Sequence, residues 1–477
     1  MNAQTWDWAK SIGYGAQDRA ASIGTDQQGN IYVTGSTSYM GGGGGSYCYA
    51  MLWKFDNSGN MLWADTTGIG EKSVTDDNGF TYIAGGNKIG KYNSAGQKIW
   101  IVTVPIAAYF QNISLNLAGG VVVAGSAIIS NASTGILYRY DENGNYLWSK
   151  LGEFPCGGST PFALTCDKNG NSYIAGGDGD SVSTAHNFGF LVKYNSSGVL
   201  LSRRTIPHTP NDIVIDNKNN IYVTGWYGNA YPIYINNNIY YSGSNSEVHQ
   251  YLVKYDQSGI VLWYKVITGI TGEDAIATDE KGNVYLTIDY NTLNVDNINL
   301  SSTYVDSYDI IVMKADSAGN ILWFENSMAT NTPAAVNMPK DIIVNSAGGV
   351  LIAGGIIGTH LFGSTTVTSM SYTGLLIAKI NQPSAAAVSN PNIKPSEFHV
   401  YPNPTSGVFQ ITYSSTEKSN IQLTIIDSKG QTIYAETISQ FQGEYNKAVD
   451  LSKRAKGVYS VEIISNGKKS VKRIVLN

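Results

Sequence analysis

The sequence predicts an all-β protein, a seven-bladed β-propeller followed by a small Ig-like β-sandwich. Three observations predict this fold. A unit of roughly 50 residues recurs up to residue 381, each copy holds four short apolar segments, and turns rich in Gly, Asn and Asp separate these segments. The composition agrees, because 52 Gly and 32 Tyr accompany only 14% charged residues, which favours short strands over helices.

The repeat is clearest in its first copy, which reads DQQGNIYVTG at 26–35 and YAMLWKFDNSGNMLW at 49–63. Six related copies follow, beginning at residues 76, 116, 167, 216, 279 and 345. Strand a precedes the first Asp or Asn, strand b follows it, strand c is of the Leu-Val-Lys-Tyr type, and strand d carries a recurrent Trp. The a–b and c–d turns are predicted to be two-residue hairpins with Gly where φ is positive. Four antiparallel strands per unit, repeated around an axis, predict a propeller.

The seventh copy ends at Asn381 and lacks strand d. The N-terminal segment TWDWAKSIG (5–13) is similar to WYKVITG (263–269), so Trp8 is predicted to take the place of the missing strand-d Trp. An N-terminal strand that completes the last blade closes the ring and leaves no open edge. The other recurrent tryptophans are predicted to be packing residues: Trp63, Trp100, Trp148, Trp263 and Trp323.

These units resemble the SBBP-type β-propeller repeats of bacterial surface proteins. The matching pattern is Asp-x-x-Gly-Asn-x-Tyr-Val-Thr-Gly, followed by Val-Lys-Tyr-Asp and Gly-x-x-Leu-Trp, and it covers roughly residues 6–381. The second and third copies are the most degenerate. The resemblance implies the fold and says little about a ligand.

A new pattern begins after the propeller. Residues 383–396 are rich in Pro, Ala and Ser without periodicity, which predicts an extended linker between a propeller at 1–382 and a β-sandwich at 397–477. Residues 397–477 contain ten Lys or Arg and seven Asp or Glu, a local net charge of +3 in a chain of net charge −5. This shift in charge also marks a domain boundary.

The C-terminal segment closely resembles the type A sorting domain of the type IX (Por) secretion system of Bacteroidota. The residues that carry the resemblance are Pro402, Asn403, Pro404, Gly407, Gly430, Gly457, Tyr459 and Lys472. The resemblance implies recognition by outer-membrane secretion machinery, cleavage in the linker, and release of the passenger or its attachment to surface lipopolysaccharide. A structural role for Pro402, Pro404, Gly430 and Gly457 in strand entry and turns is compatible with sorting.

Ligand candidates lie on the side of the disc away from the tight turns, where the b–c loops vary in length. The richest loop follows Trp226 and contains Tyr227 and Tyr231 among Asn residues. Exposed aromatic rings of this kind stack on sugars. The alternative, which we favour for most of the tyrosines, is packing between blades.

Asp212, Asp274 and Asp341 are predicted to precede strand a in three copies. Because strand a is innermost in a propeller, these carboxylates are expected at the central channel, where they would bind a cation or a ligand, or else accept backbone N–H bonds. We favour the backbone role.

Other functional classes find little support. The five His are scattered, no H-E-x-x-H or G-x-S-x-G motif is present, and no catalytic residue, metal site or cofactor is expected. No basic run indicates a nucleic-acid partner, and no apolar run is long enough for a transmembrane segment. Cys156 and Cys166 are candidates for one disulfide, and three separate thiols are the alternative.

The sequence therefore favours a secreted or outer-membrane surface-attached binding or adhesion module whose ligand is a glycan or a surface protein. We expect the sequence to correspond to the form left after removal of an N-terminal signal peptide, since none precedes Trp6. The alternative function is a secreted polysaccharide-degrading enzyme, a hydrolase or lyase, with its site at the channel mouth. A third alternative is a structural spacer of the cell surface.

Overall fold

In a computed structural model, the chain divides into two compact units, residues 1–388 and 389–477. The structure describes residues 5–13, 15, 17–40, 46–70, 72–129, 132–152, 160–177, 188–207, 210–228, 233–235, 238–240, 248–296, 298–304, 306–330, 336–370, 372–381, 398–401, 405, 407–427, 431–465 and 468–476. The predicted linker, 383–396, lies outside them. In this described part of the chain, no helix has the length and apolar character needed to cross a membrane.

Within its described residues, the first unit contains five four-stranded antiparallel sheets, one two-stranded hairpin sheet and one ten-stranded sheet. In the ten-stranded sheet, one long strand joins two further four-stranded sets. We call each set of four strands a blade and give its strands in the order a to d. Blade 1 consists of β2 (Gln17–Thr25), β3 (Ile31–Met40), β4 (Ser46–Phe55) and β5 (Met61–Thr66), and blade 2 consists of β6 (Lys72–Thr75), β7 (Thr81–Gly85), β8 (Lys88–Tyr92) and β9 (Lys98–Thr103). Blade 3 consists of β10 (Ala108–Leu115), β11 (Val121–Ile129), β12 (Ala132–Tyr140) and β13 (Tyr146–Leu151). Blade 4 consists of β14 (Thr160–Cys166), β15 (Ser172–Gly177), β16 (Phe188–Tyr194) and β17 (Leu200–Pro207).

Blades 5 and 6 share one strand, β23 (Val261–Thr278), which is strand d of blade 5 and continues as strand a of blade 6. The other strands of these two blades are β18 (Pro210–Ile215), β19 (Ile221–Tyr227) and β22 (His249–Tyr255), then β24 (Val284–Val295), β26 (Asp309–Ala315) and β27 (Ile321–Ala329). Blade 7 consists of β28 (Val336–Val344), β29 (Val350–Ile357), β32 (Gly374–Ile380) and the N-terminal β1 (Trp6–Ile12).

The strands a form a closed inner ring. Each strand a contacts strand a of the next blade, and β28 of blade 7 contacts β2 of blade 1. Buried aliphatic and aromatic side chains fill the space between neighbouring blades, as in the cluster that joins blades 4 and 5 through Leu191, Ile213 and Tyr251. This arrangement of the described residues confirms the propeller fold that the repeats predict.

The N-terminal strand closes the ring as predicted. β1 pairs antiparallel with β32, with Ala9 opposite Ala378. Trp8 then covers Gly59 in the c–d turn of blade 1, where an added Cβ would lie 2.8 Å from the ring, just as Trp63 covers Gly96 in the next blade. Trp8 therefore occupies the strand-d position of blade 7.

The tight turns differ from the prediction in length. In the first turn, Asp26 N–H donates to Asn30 O (3.1 Å) and Gly29 N–H donates to Asp26 O (3.0 Å), so three residues form the loop. This is a type I turn followed by a bulge, which requires the positive φ of Gly29 (82°). The predicted two-residue turns are thus wrong, and the predicted Gly conformation is confirmed.

The polar residues of the repeat motif have structural roles in the turn and between blades. Asp26 accepts hydrogen bonds from Asn30 N (2.8 Å), Asn30 Nδ2 (2.8 Å) and Tyr32 OH (3.0 Å). Lys54 Nζ of strand c lies 4.9 Å above the Tyr32 ring and donates to Ser94 O of the next blade (2.9 Å). Asp26, Asn30, Tyr32 and Lys54 of the first repeat therefore stabilise its turn and the seam to the next blade.

Three inserted elements lie on the side of the b–c loops. They are the hairpin of β20 (Ile233–Ile235) and β21 (Asn238–Tyr240), the strand β25 (Ile298–Ser301) paired with β24, and the hairpin of β30 (Thr359–Phe362) and β31 (Thr365–Thr368). Ile233 and Ile235 are buried in the core of blades 4 and 5.

The second unit is built from β33 (Phe398–Tyr401), β34 (Val408–Ile426), β35 (Thr432–Asp450), β36 (Gly457–Ser465) and β37 (Lys468–Leu476). The two 19-residue strands β34 and β35 pair along their length, with register shifts between Ser415 and Ile421. The first half of β34 pairs with β33, and its second half pairs with β36. Side chains from both halves, among them Phe409 and Leu423, share one core. The sequence predicts seven short strands here, whereas five are described, and the Ig-like topology stays a prediction.

Cys48 and Cys166 are free thiols, and Cys156 lies outside the described residues. Cys166 Sγ lies 3.7 Å from Ser172 Oγ. Burial raises the pKa of the Cys166 thiol, so this group is unreactive at neutral pH. Cys166 is thus a separate thiol, and the predicted Cys156–Cys166 pair includes a residue outside the described ones.

Candidate functional surfaces

Asp212 and Asp341 lie on the inner ring, at equivalent positions of blades 5 and 7. Each carboxylate accepts a backbone N–H of the next blade: Asp212 accepts Ile276 N (2.9 Å), and Asp341 accepts Ile23 N (2.9 Å). Each also accepts the N–H of the following residue. The two side chains therefore join neighbouring blades, which is the backbone role that we favoured from the sequence.

The two carboxylates share one electrostatic environment with a lysine. Burial raises the pKa of Asp212 to about 6 and that of Asp341 to about 7, although both residues keep some accessible surface. Lys72 of blade 2 lowers both pKa values, and Asp212 raises that of Asp341. Groups from blades 2, 5 and 7 thus lie close enough to interact electrostatically, and Lys72 is a member of this set that sequence reasoning missed.

The raised pKa values predict a pH-dependent stability. Between about pH 4 and pH 7 the folded chain binds more protons at Asp341 than the unfolded chain does, so its contribution to stability falls as pH rises. We expect Asp341→Asn, a neutral mimic of the protonated acid, to gain stability relative to wild type from pH 4 to pH 8 by about 1.4 kcal/mol or more. Denaturant unfolding across this range measures the difference, and a difference that is constant with pH would contradict the account.

Asp274 differs from the other two acids. Its side chain is buried, and it accepts hydrogen bonds from Asn211 Nδ2 (2.6 Å) and from Thr224 Oγ1 of blade 5. The predicted place at the channel mouth is wrong for this residue. The register explains the difference, because Asp274 pairs with Ile288, the fifth residue of its strand b, whereas Asp212 pairs with Thr224, the fourth of its own.

The aromatic residues at and after Trp226 also differ from one another in burial. Trp226 is half-buried at the end of β19. Tyr227 is only 1% exposed and meets His249 edge-on, with ring centroids 5.2 Å apart, so it is a core residue and its prediction as a ligand contact is wrong. Tyr231 lies outside the described residues. Of the ligand candidates in this loop, Trp226 is the described one that keeps accessible surface.

Two exposed residues that the sequence did not single out lie on the same side of the disc. Met370 is 74% exposed and Tyr372 is 72% exposed, in the b–c loop of blade 7. This loop is adjacent to the start of β2, since Asp18 N–H donates to Thr373 O (2.7 Å). Met370 and Tyr372 carried no recognisable motif, and only their position in a long b–c loop pointed to them.

No metal centre is present in the described part of the chain, because no group of three or more His, Cys, Asp or Glu side chains is placed to hold an ion. The cleft between blades 5 and 6 is narrow and apolar, lined by Leu252, Ile267, Leu286 and Met313 among others. Lys265 is the polar residue in this lining, and its ammonium group is paired with Asp296 (2.6 Å).

Some residues of the predicted sorting motif have a structural role in the C-terminal unit. At Gly407 an added Cβ would lie 2.7 Å from Ser452 Cβ, and Gly407 O accepts Leu451 N–H (2.8 Å). Tyr459 is 5% exposed and its hydroxyl donates to Ala455 O. Gly457 begins β36, and Lys472 is half-buried on β37. Pro402, Asn403, Pro404 and Gly430 lie outside the described residues.

Family models match both parts of the chain. Residues 7–38 match the β-propeller repeat SBBP, and residues 399–477 match the secretion system C-terminal sorting domain Por_Secre_tail. No curated protein matches the chain.

Solved structures also resemble it. The Pan2 WD40 domain of Neurospora crassa is 11% identical, with a TM-score of 0.45 over 80% of this chain and 98% of that one. Sqt1 of Chaetomium thermophilum is 9% identical, with a TM-score of 0.42 over 79% and 99%. A Bacteroides caccae protein of unknown function is 14% identical, with a TM-score of 0.29 over 51% and 92%. At these values we draw nothing about function from them.

The strand pairing and the repeat match agree on the propeller, and the sorting-domain match supports secretion and attachment to the cell surface through the type IX system. The chain thus combines an SBBP-type β-propeller with a Por secretion-system C-terminal sorting domain.

Proposed function

We propose that the chain is a surface-displayed binding or adhesion module, and that its propeller binds a glycan or a surface protein through the face of the b–c loops. The observation that carries the proposal is the contrast between the two faces. The a–b and c–d turns are short and regular, whereas the b–c side carries the inserted strands and exposes Met370 and Tyr372. Varied loops on a rigid scaffold are typical of binding surfaces.

The C-terminal unit provides the route to that surface in this proposal. Its folded shape, with Gly407 and Tyr459 holding turns and strand ends, presents the signal to the outer-membrane machinery of the type IX system. A binding role also fits the inner ring, where the carboxylates of Asp212 and Asp341 accept backbone N–H groups and hold the blades together.

A binding and digestion screen tests the proposal. The full chain is applied to glycan and surface-protein arrays and incubated with polysaccharides. We expect binding without product, reduced about tenfold or more in the Trp226→Ala variant and in the double variant Met370→Ala/Tyr372→Ala. The control is Leu147→Ala, a 49% exposed residue on the outer edge of blade 3, which should bind like wild type.

Two outcomes would count against the proposal. Unchanged binding by the loop variants would exclude the b–c face as the binding surface. Release of sugar from a polysaccharide would favour the enzymatic alternative.

A further inference from the structure

The β30–β31 hairpin, residues 359–368, reaches from blade 7 to blade 6, and we call it the strap. β30 pairs with the end of β27, with His360 opposite Ala329. Phe362 of the strap meets Trp6 of β1 edge-on, with ring centroids 4.9 Å apart, and Trp6 Nε1 donates to Asn326 O of β27 (3.1 Å). The strap therefore ties the strand that closes the ring to blade 6.

Four polar side chains are buried where the strap packs on blades 6 and 7, each at most 1% exposed: Asp309, Ser327, Asn337 and, from the strap itself, His360. His360 Nε2 lies 3.1 Å from Ile357 O, so Nε2 must carry a proton. His360 Nδ1 lies 2.8 Å from Asn337 Nδ2, which also lies 3.0 Å from Ser327 Oγ. Asn337 Oδ1 is buried and has no hydrogen-bond partner.

This geometry allows two hydrogen-bond arrangements that differ by one proton. With a neutral ring, the Asn337 amide donates to His360 Nδ1. When Nδ1 takes a proton from water, the amide must turn over so that Oδ1 accepts from Nδ1–H. Nδ2 then takes the place in which Oδ1 had no hydrogen-bond partner. Ser327 Oγ, which accepts Ile310 N–H (2.9 Å), then donates its own proton to the same Oδ1.

A carboxylate stabilises the protonated arrangement. Asp309 Oδ1 lies 3.6 Å from His360 Nδ1, and Ala329 N–H of β27 donates to it (2.7 Å). Proton uptake therefore creates a buried ion pair between β26 and the strap, while the Asn337 amide makes two hydrogen bonds in either arrangement.

Other titratable groups lie on the surrounding strands. On β24, the Tyr290 phenol has its pKa raised to about 12 by burial and then by Asp309, so it stays neutral. Burial raises the pKa of Glu325 on β27 and that of Asp341 on β28 to about 7, so both change charge in the same pH range, and the His360→Gln variant, which keeps both, separates their effect from that of His360. On β1, Asp7 faces Lys379 (3.8 Å), Lys340 of β28 lies at the register shift before Asp341, and β31 has no titratable side chain.

We propose that Asn337 and His360 form a proton-operated lock that fastens the strap, and with it the ring-closing strand, more tightly at acidic pH than at alkaline pH. The lock would make the b–c side of blades 6 and 7 respond to the acidity outside the cell. It is independent of which ligand the propeller binds.

Hydrogen exchange of the full chain at pH 5 and pH 8, corrected for the intrinsic pH dependence of exchange, tests the lock. We expect amides of 359–368 and 327–330 to exchange about five- to tenfold more slowly at pH 5. His360→Gln should abolish the difference, and His249→Gln, a change at another buried histidine in blade 5, should preserve it. Equal exchange at both pH values, or a difference that persists in His360→Gln, would overturn the proposal.

A second measurement decides the matter if His360→Gln fails to fold. Long-range ¹H–¹⁵N NMR of the wild-type chain with labelled histidine reports whether each ring nitrogen carries a proton. A His360 Nδ1 proton that is present at pH 5 and absent at pH 8 supports the lock. A protonation pattern that is the same at both pH values overturns it.

Discussion

The Trp6→Ala variant is expected to lose about 3–5 kcal/mol of unfolding free energy, the cost typical of removing a buried tryptophan. Trp6 is 6% exposed, packs against Phe362 and donates to Asn326 O. Its loss removes apolar burial and a hydrogen bond at the one seam where strands from opposite ends of the propeller meet. The remaining contacts of β1 would then hold the ring closed with a smaller margin.

Denaturant unfolding followed by far-UV circular dichroism measures this loss without depending on tryptophan fluorescence. The matched control is Tyr372→Ala, a 72% exposed aromatic in the same blade, which should change stability by no more than about 0.5 kcal/mol. A loss below about 1 kcal/mol for Trp6→Ala would contradict ring closure by the N-terminal strand.

The second large effect is expected on export. Val461 is fully buried in the middle of β36, between β34 and β37. Val461→Asp places a carboxylate in that core, which costs several kcal/mol and is comparable to the whole stability of a small domain. Because the signal is a folded domain, we expect the amount of protein on the cell surface to fall about tenfold or more.

Val458→Asp is the matched control, since Val458 lies on the same strand and is 44% exposed. Surface protein is measured by protease treatment of intact cells that contain the type IX system, followed by immunoblotting of the cell fractions. The propeller should remain folded in both variants, because it is a separate compact unit. Normal display of Val461→Asp would contradict a role for the folded C-terminal unit in export.

The propeller could be predicted from the sequence because the residues that form each of blades 1 to 6 are close together in the chain. The Asp-x-x-Gly-Asn turns, the Tyr of strand b and the Lys of strand c act on residues of their own or the next repeat, as Asp26, Tyr32 and Lys54 do. Ring closure could be predicted for the same reason, since Trp8 sits in a recognisable strand-d segment. The turn length was missed because two-residue and three-residue hairpins share the same Gly and Asn signals.

The sites were harder to predict because they depend on non-local register. A shift in strand register between Thr271 and Asp274 gives Asp274 a different pairing position in blade 6 from that of Asp212 in blade 5. The strap pairs with a strand of the preceding blade, a contact that no pattern within residues 356–373 indicates. Strict alternation along β19 would have placed Tyr227 in the core, on the same face as Gly225, and this signal was available in the sequence.

In the second unit, the polar run at 414–419 separates two apolar segments, a pattern that predicts two short strands. The chain instead continues as one long strand through register shifts.

The central claim is that an exported propeller meets its ligand on the face of the b–c loops. Hydroxyl-radical footprinting of the full chain, with and without the strongest binder from the arrays, tests this claim most directly. The account predicts protection of Trp226, Met370 and Tyr372, with no change at the outer-edge residues Leu62, Leu147 and Leu262, which are about half exposed. Protection of the outer edge with no protection of the b–c face would contradict it.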